Sequence, residues 1–207
     1  VPDRRADQSF AGDLLGGLDF IRKHEIFYTL IGMTFLDSLF GMSYSVMLPV
    51  FARDILQVGS EGYGFMQTVS AVGALGGTLV TAAASRSGGR GMQLLAGAAA
   101  FGGFIVLFAY SSWFPLSLSL LLLMGLTNQL YMTTVSTVLQ SHLPNELRGR
   151  VMGIYGLAFS IVPLGGTIAG GIAEHWGAPS AVALGGACVA LMALAATILL
   201  PKVRSIA

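Results

Sequence analysis

Six stretches of this chain run for about twenty residues or more with almost no formal charge, and that pattern leaves few folds open. They are Tyr28 to Val50, Phe65 to Ala84, Met92 to Tyr110, Phe114 to Gln140, Val151 to Ala173 and Pro179 to Leu200, and Asp37 is the single Asp, Glu, Lys or Arg among them. A bilayer core about 30 Å thick takes about 20 apolar residues per helix. A charge at the centre of such a helix costs about 2.5–3.5 kcal/mol even on a lenient insertion scale, which explains five runs with none. Backbone groups in lipid must be paired within the segment, so these runs read as helices, and the apolar–polar alternation of a membrane barrel is absent. Composition agrees: 54% of the 207 residues are hydrophobic and 10% charged, where a soluble domain carries roughly 25% charged residues. The expected fold is an all-α membrane protein of six transmembrane helices, with residues 1–27 a cytoplasmic linker, 28–200 the bundle and 201–207 a cytoplasmic tail.

The connections are short and carry helix breakers. Ser85 to Gly91 is rich in glycine, Ser111 to Trp113 precedes Pro115, Ser141 to Arg150 contains Pro144, and Glu174 to Ala178 holds His175 and Trp176. With the amino end inside, Arg4, Arg5, Arg22, Lys23, Arg86, Arg90, Arg148, Arg150, Lys202 and Arg204 all fall on the inner side and only Arg53 on the outer. Such a bias fixes both the span count and the orientation, placing both termini in the cytoplasm of a cell membrane, expected to be a bacterial inner membrane. Before the first run, Ala11 to His24 sets Leu14, Leu15, Leu18 and Ile21 at helical spacing among Asp13, Arg22 and Lys23. It reads either as a helix lying on the lipid surface or as a linker helix packed on the protein. The opening on Val1, followed by a polar stretch to Phe10, leads us to expect a linker within a longer chain.

Several classes are excluded. A net charge of +1 offers no field for nucleic acid, and Cys188, the one cysteine, cannot make a disulfide framework. His24, His142 and His175 lie outside the apolar runs and no Gly-x-Ser-Gly occurs, so an intramembrane serine protease and a zinc site both lack their residues. We expect no enzyme, no metal and no cofactor.

Polarity is uneven across the spans. The first holds Thr29, Thr34, Asp37, Ser38, Ser43, Tyr44 and Ser45. The second holds Gln67, Thr68, Ser70, Thr78 and Thr81, and the fourth has Thr127, Asn128, Gln129, Tyr131, Thr133, Thr134, Ser136, Thr137 and Gln140. The fifth is intermediate and the third and sixth are nearly bare. Unsatisfied polar groups are costly in hydrocarbon, so spans one, two, four and five are expected to line something polar while three and six support them.

Asp37 lies about two residues from the middle of its span, roughly 3 Å from the midplane. It is either a proton or cation carrier facing a cavity or a buried carboxyl held by a neighbour's hydroxyl or amide. Thr34, Ser38, Tyr44, Gln67, Asn128, Gln129, Tyr131 and Thr134 are substrate-cavity candidates, or else glue between helices. The glycine pairs Gly73–Gly77 and Gly166–Gly170 permit close crossings. Pro163, followed by Gly165 and Gly166, is a bending point or a static kink.

Leu48-Pro49-Val50-Phe51-Ala52-Arg53-Asp54, Gly62-Tyr63-Gly64 and Gly73-Ala74-Leu75-Gly76-Gly77 resemble the seventh and eighth helices of the major facilitator superfamily, and more narrowly the branch of enterobactin-exporter and macrolide-efflux-like proteins. Glu146-Leu147-Arg148-Gly149-Arg150-Val151-Met152-Gly153, with Leu139, Gln140 and Pro144, resembles that branch's loop between helices ten and eleven. The resemblance covers nearly the whole chain but one half of a twelve-helix fold. It implies half of a secondary active transporter working by alternating access, with an amino-terminal six-helix half as its partner. From Asp37 and the otherwise charge-free spans, rather than from the resemblance, we expect the activity to be proton-coupled efflux of small amphiphilic molecules. Arg86, Arg90, Glu146, Arg148, Arg150 and Pro163 would belong to a cytoplasmic gate or hinge, or the charges would serve only to anchor topology. The acidic member of the superfamily's loop signature is missing from Ser85–Arg90, and Asp37 maps to no shared motif. A non-transporting receptor or scaffold, or a homodimerising half-transporter, are the alternatives.

Overall fold

Helix is the structure a lipid-solvated backbone is driven to, and the described residues of this computed structural model, 10–84 and 89–204, hold helices and short connections with no strand among them. Helix α1 spans Phe10–Lys23. The first membrane segment is built in four pieces: α2 (Glu25–Leu36), a π-helical turn (Asp37–Gly41), α3 (Ser43–Val50) and a second π turn (Phe51–Ile55). Then follow α4 (Gly59–Ala84), α5 (Arg90–Ala109), α6 (Phe114–His142), α7 (Asn145–Leu157), a 3₁₀ turn (Ala158–Ile161), α8 (Val162–Leu199) and the short α9 (Pro201–Arg204).

Five continuous helical stretches are long and apolar enough to cross a membrane, the last being Asn145–Leu199. Its 55 residues would extend about 80 Å at 1.5 Å per residue, far more than one crossing needs. Gly177 breaks it, with φ 82° and ψ 154°, a conformation open almost only to glycine. The two arms fold back side by side, because a Cβ on Gly165 would strike the Leu39 carbonyl oxygen and one on Gly185 the adjacent Phe40 carbonyl. Both arms therefore touch one point of the first span, and 145–176 and 178–199 are separate arms, making six long apolar helical arms among the described residues. Gly177→Val is expected to cost about 1–3 kcal/mol, seen as a lower unfolding temperature in detergent. Gly170→Ala, where a Cβ meets nothing within 4 Å, should leave that temperature unchanged.

Close approach of backbones holds the spans together. Gly73 sits on the Leu122 carbonyl, Gly77 on that of Leu126, and Gly125 reciprocally on that of Ser70, joining α4 to α6. Gly102 and Gly186 do the same for α5 and the second arm of α8. The expected pairing of Gly166 with Gly170 is half met: Gly166 packs on Val46 but Gly170 faces open space, and Gly165 makes the backbone contact instead.

Some boundaries differ from expectation. The segment Ser141–Arg150 is mostly helical: α6 runs to His142 and α7 starts at Asn145, with Pro144 interrupting because it has no N–H to give and disfavours helix at the residue before it. Glu146, Arg148 and Arg150 thus stand on α7 rather than in a loop. Likewise 174–176 continue helix up to the Gly177 break. Helix α1 packs on the bundle, with Gly16 and Gly17 against Arg150 and Gly17 also against Ile154 of α7, while Leu15 stays exposed. Burial is uneven across the spans. Apolar α5 buries Leu94, Leu95, Phe101, Ile105 and Phe108, whereas polar α4 leaves Leu75 and Leu79 about 70% exposed.

Candidate functional site: the polar waist

The apolar core is in two pieces. One cluster takes Phe27 to Met33, Leu94 to Ala98, Tyr131 to Leu139, Val151 to Tyr155, and Ala193 and Ala196. The other takes Tyr44 to Ala52, Phe101 to Phe108, Leu120 to Met124, Ala169 and Ala178 to Val189. On the first span the seam falls between Met33 and Tyr44, and on α6 between Met124 and Tyr131. Those two gaps hold Thr34, Asp37 and Ser38, and Thr127 and Asn128. The polar residues therefore form a layer at the waist of the bundle with oily packing above and below.

Asp37 is 1% exposed, and the π turn begins on it. π turns inside α-helices mark functional sites often enough to single out this one. Gly41, one turn along, clears space for the carboxyl: a Cβ there would lie 2.6 Å from Asp37 Oδ1, 3.1 Å from Val189 and 3.2 Å from Phe101. The Asn128 amide faces the Asp37 carboxyl, the Thr34 hydroxyl faces the Tyr131 phenol, and Ser70 faces Tyr44. Tyr44, Tyr131 and Tyr155, from spans one, four and five, surround the carboxyl closely enough to feel its charge.

The arrangement is open rather than closed. Both Asp37 oxygens, Ser38 Oγ, Asn128 Nδ2 and the Tyr131 hydroxyl are buried with no hydrogen-bond partner. No Lys, Arg or His among the described residues pairs with Asp37. A buried polar atom left unmatched costs about 1–3 kcal/mol, more for a charged one. The layer thus holds a buried carboxyl with the Asn128 amide facing it and the Tyr131 phenol near it.

The other candidates divide between the waist and the surface. Thr34 and Thr134 are buried but spend their hydroxyl protons on the Leu30 and Leu130 carbonyls, at 2.9 and 2.7 Å. Gln129 donates to Thr133 Oγ1 at 3.0 Å. Gln67 is exposed on α4 and donates to the Tyr63 hydroxyl at 2.9 Å, so it is not part of the waist. Glu146 and Arg148 are exposed on α7 and form no ion pair among the described residues. Arg150 is half-buried against α1. Arg90 starts α5, and Arg86 lies outside the described residues. Pro163 occupies the start of α8 directly after the 3₁₀ turn, where its missing N–H breaks no helical bond. The fifth span changes helix type there, from α through 3₁₀ to α.

Two residues of the waist did not stand out as site candidates in the sequence. Tyr155, whose hydroxyl donates to Met132 Sδ at 3.8 Å within range of the Asp37 charge, and Ser70, beside Tyr44, are each one polar residue in a span with others, and only the docking of the helices brings them there.

A bundle of long apolar helices around a buried polar layer defines a multi-pass membrane protein. A sequence profile for the Major Facilitator Superfamily matches residues 30–205, and the chain belongs to that family of membrane transporters. No curated protein sequence matches it.

Proposed function

We propose that this chain is one half of a secondary active transporter that exports small amphiphilic molecules in exchange for protons. The six-span bundle pairs with an amino-terminal six-span half, and the two rock about a midplane site in alternating access. One observation carries the reading: Asp37 is buried at the waist with both carboxyl oxygens unpaired. Intramembrane ionisable residues are rare and serve ion pathways, and a structural carboxyl would be expected to have its partners closed. Asp37 carries the proton, and Asn128, Tyr131, Ser38 and Tyr44 form the wall around it. Thr34, Thr134, Gln129 and the exposed Gln67 extend that wall toward the partner half. Arg90, Arg148, Arg150 and Glu146, with Arg86, gate the cytoplasmic end, and the 3₁₀ turn before Pro163 is the hinge. No further charge lies in the apolar runs, which favours amphiphilic or weakly basic cargo over strongly anionic cargo.

The test is flux in vesicles holding the full-length protein, under an imposed pH gradient, across a panel of cationic amphiphiles. Uptake that follows the gradient supports the reading, and binding with no gradient-driven movement would identify a receptor or scaffold instead. Orientation has its own check. In intact cells, with Cys188 replaced, Ser112→Cys is expected to react with an impermeant thiol reagent from outside and Asn145→Cys to stay unlabelled. The reverse pattern would overturn cytoplasmic termini and an inner-membrane topology of this hand.

A further inference from the structure

The unmatched atoms of the waist are mostly oxygens, and they sit on two antiparallel helices in register. Thr34 faces Tyr131, and one turn along Asp37 faces Asn128. Ser38 follows Thr34 by one turn on the same face of the first span. These groups are neighbours that do not bond: both Asp37 oxygens, Ser38 Oγ and the Tyr131 hydroxyl have no hydrogen-bond partner. Oxygens built to hold one another through a proton lie about 2.5–3.0 Å apart. Ligands of one cation are spaced more widely, about 3.4 Å apart around an ion that each oxygen holds at about 2.4 Å.

A second observation falls at the same place. A Cβ on Gly41 would lie 2.6 Å from Asp37 Oδ1, with Val189 and Phe101 closing the far side at 3.1 and 3.2 Å. The missing side chain therefore leaves a position at the distance a hard cation keeps from its oxygens, about 2.3–2.6 Å.

We infer that the waist binds a Na⁺ ion, with Asp37, Ser38, Tyr131 and Asn128 as its ligands. The Asn128 amide offers its oxygen after a half-turn that exchanges two atoms of nearly equal size. Charge selects the ion. Asp37 is the single formal charge of the apolar runs, so Na⁺ leaves the layer neutral. Ca²⁺ or Mg²⁺ would leave a buried positive charge, which is costly. The larger K⁺ would be crowded between Oδ1 and the Val189 and Phe101 side chains. The inference rests on the transport reading for the working role of Asp37, and it gives that carboxyl a second, exchangeable occupant besides the proton.

The experiment measures binding of radioactive Na⁺ to purified full-length protein in detergent at one fixed pH, with KCl holding the ionic strength. Wild type is expected to bind saturably, with half-saturation on the order of millimolar, and equimolar Ca²⁺ should not displace the ion. Asp37→Asn should abolish binding. Ser38→Ala and Tyr131→Phe each remove one ligand oxygen and should raise the half-saturating concentration about tenfold, which preserves the test if Asp37→Asn does not fold. Asn128→Asp supplies a second carboxylate and should let Ca²⁺ displace Na⁺, a change of ion that a merely structural role would not produce. No saturable binding by wild type, or undiminished binding in the Asp37, Ser38 and Tyr131 variants, overturns the inference. Proton-driven flux without Na⁺ binding would defeat the Na⁺ site and leave the transport reading standing, whereas Na⁺ binding without such flux would do the opposite.

Discussion

Asp37→Asn is expected to abolish pH-driven flux in the full-length protein, so that cargo in vesicles settles at equilibrium instead of accumulating. The change keeps the size of the side chain and removes its ability to carry a proton. The Asn128 amide already faces the carboxyl, and the substituted side chain keeps an oxygen there to accept from it. It places an N–H₂ and a carbonyl beside the Asn128 amide, which can pair with it. The unfolding temperature should therefore stay level or rise, by the equivalent of up to about 1–3 kcal/mol for newly matched buried groups. That combination separates two roles for the residue. A carboxyl held only for structure would, on substitution, lower stability and leave the pH dependence intact. A carrier would lose its pH dependence and keep its fold. Full gradient-driven flux in a well-folded Asp37→Asn protein would end the coupling proposal, and the family assignment over residues 30–205 would stand without it.

How far the sequence anticipates this structure depends on what each property rests on. The crossings rest on solvation, and an apolar run without ions announces itself whatever its neighbours are. Depth is nearly as accessible: Asp37 near the middle of its span and Asn128 near the middle of another meet at one level of the bilayer. Azimuth is a different matter. That Asn128 faces Asp37, while Gln67 turns outward to Tyr63, follows from how the helices dock, and α4 and α6 are polar on more than one side. The place of α5 shows the same limit. Lipid tails are as apolar as leucine, so a bare helix is equally at home in the bundle centre or at its rim. Spacing rules share it, since Gly166 and Gly170 define a smooth stripe but not how far along it a neighbour runs. The π turn at Asp37–Gly41 has no sequence mark comparable to Pro163 or Gly177.

The largest stability losses should come from the seam between α4 and α6, and they should not add. Helix α4 is the least buried of the spans, with 17% of its most apolar window inside the bundle, against 39–50% for the others. Its main contact is with α6. At that seam a Cβ on Gly73 would overlap the Leu122 carbonyl, and one on Gly125 the Ser70 carbonyl. In each case the obstructing atom is backbone, so no rotamer change can make room. Gly125→Ala must move the helices apart, which forfeits dispersion contacts along the seam and any Cα–H···O contacts there, each about 0.5–1 kcal/mol. The expected cost is about 3 kcal/mol, at the upper end of overpacking effects. Gly73→Ala should cost about as much. Gly64→Ala, on the same helix with nothing within 4 Å of its Cβ, should cost no more than a few tenths of a kcal/mol. Once either seam glycine has been replaced the helices are already parted, so the double variant should lose much less than the sum of the singles, a coupling of about 1–3 kcal/mol. Unfolding temperatures of the four proteins in one detergent measure this directly. Strict additivity of Gly73→Ala and Gly125→Ala would mean that the two contacts are independent, and that α4 is held by something other than its closeness to α6.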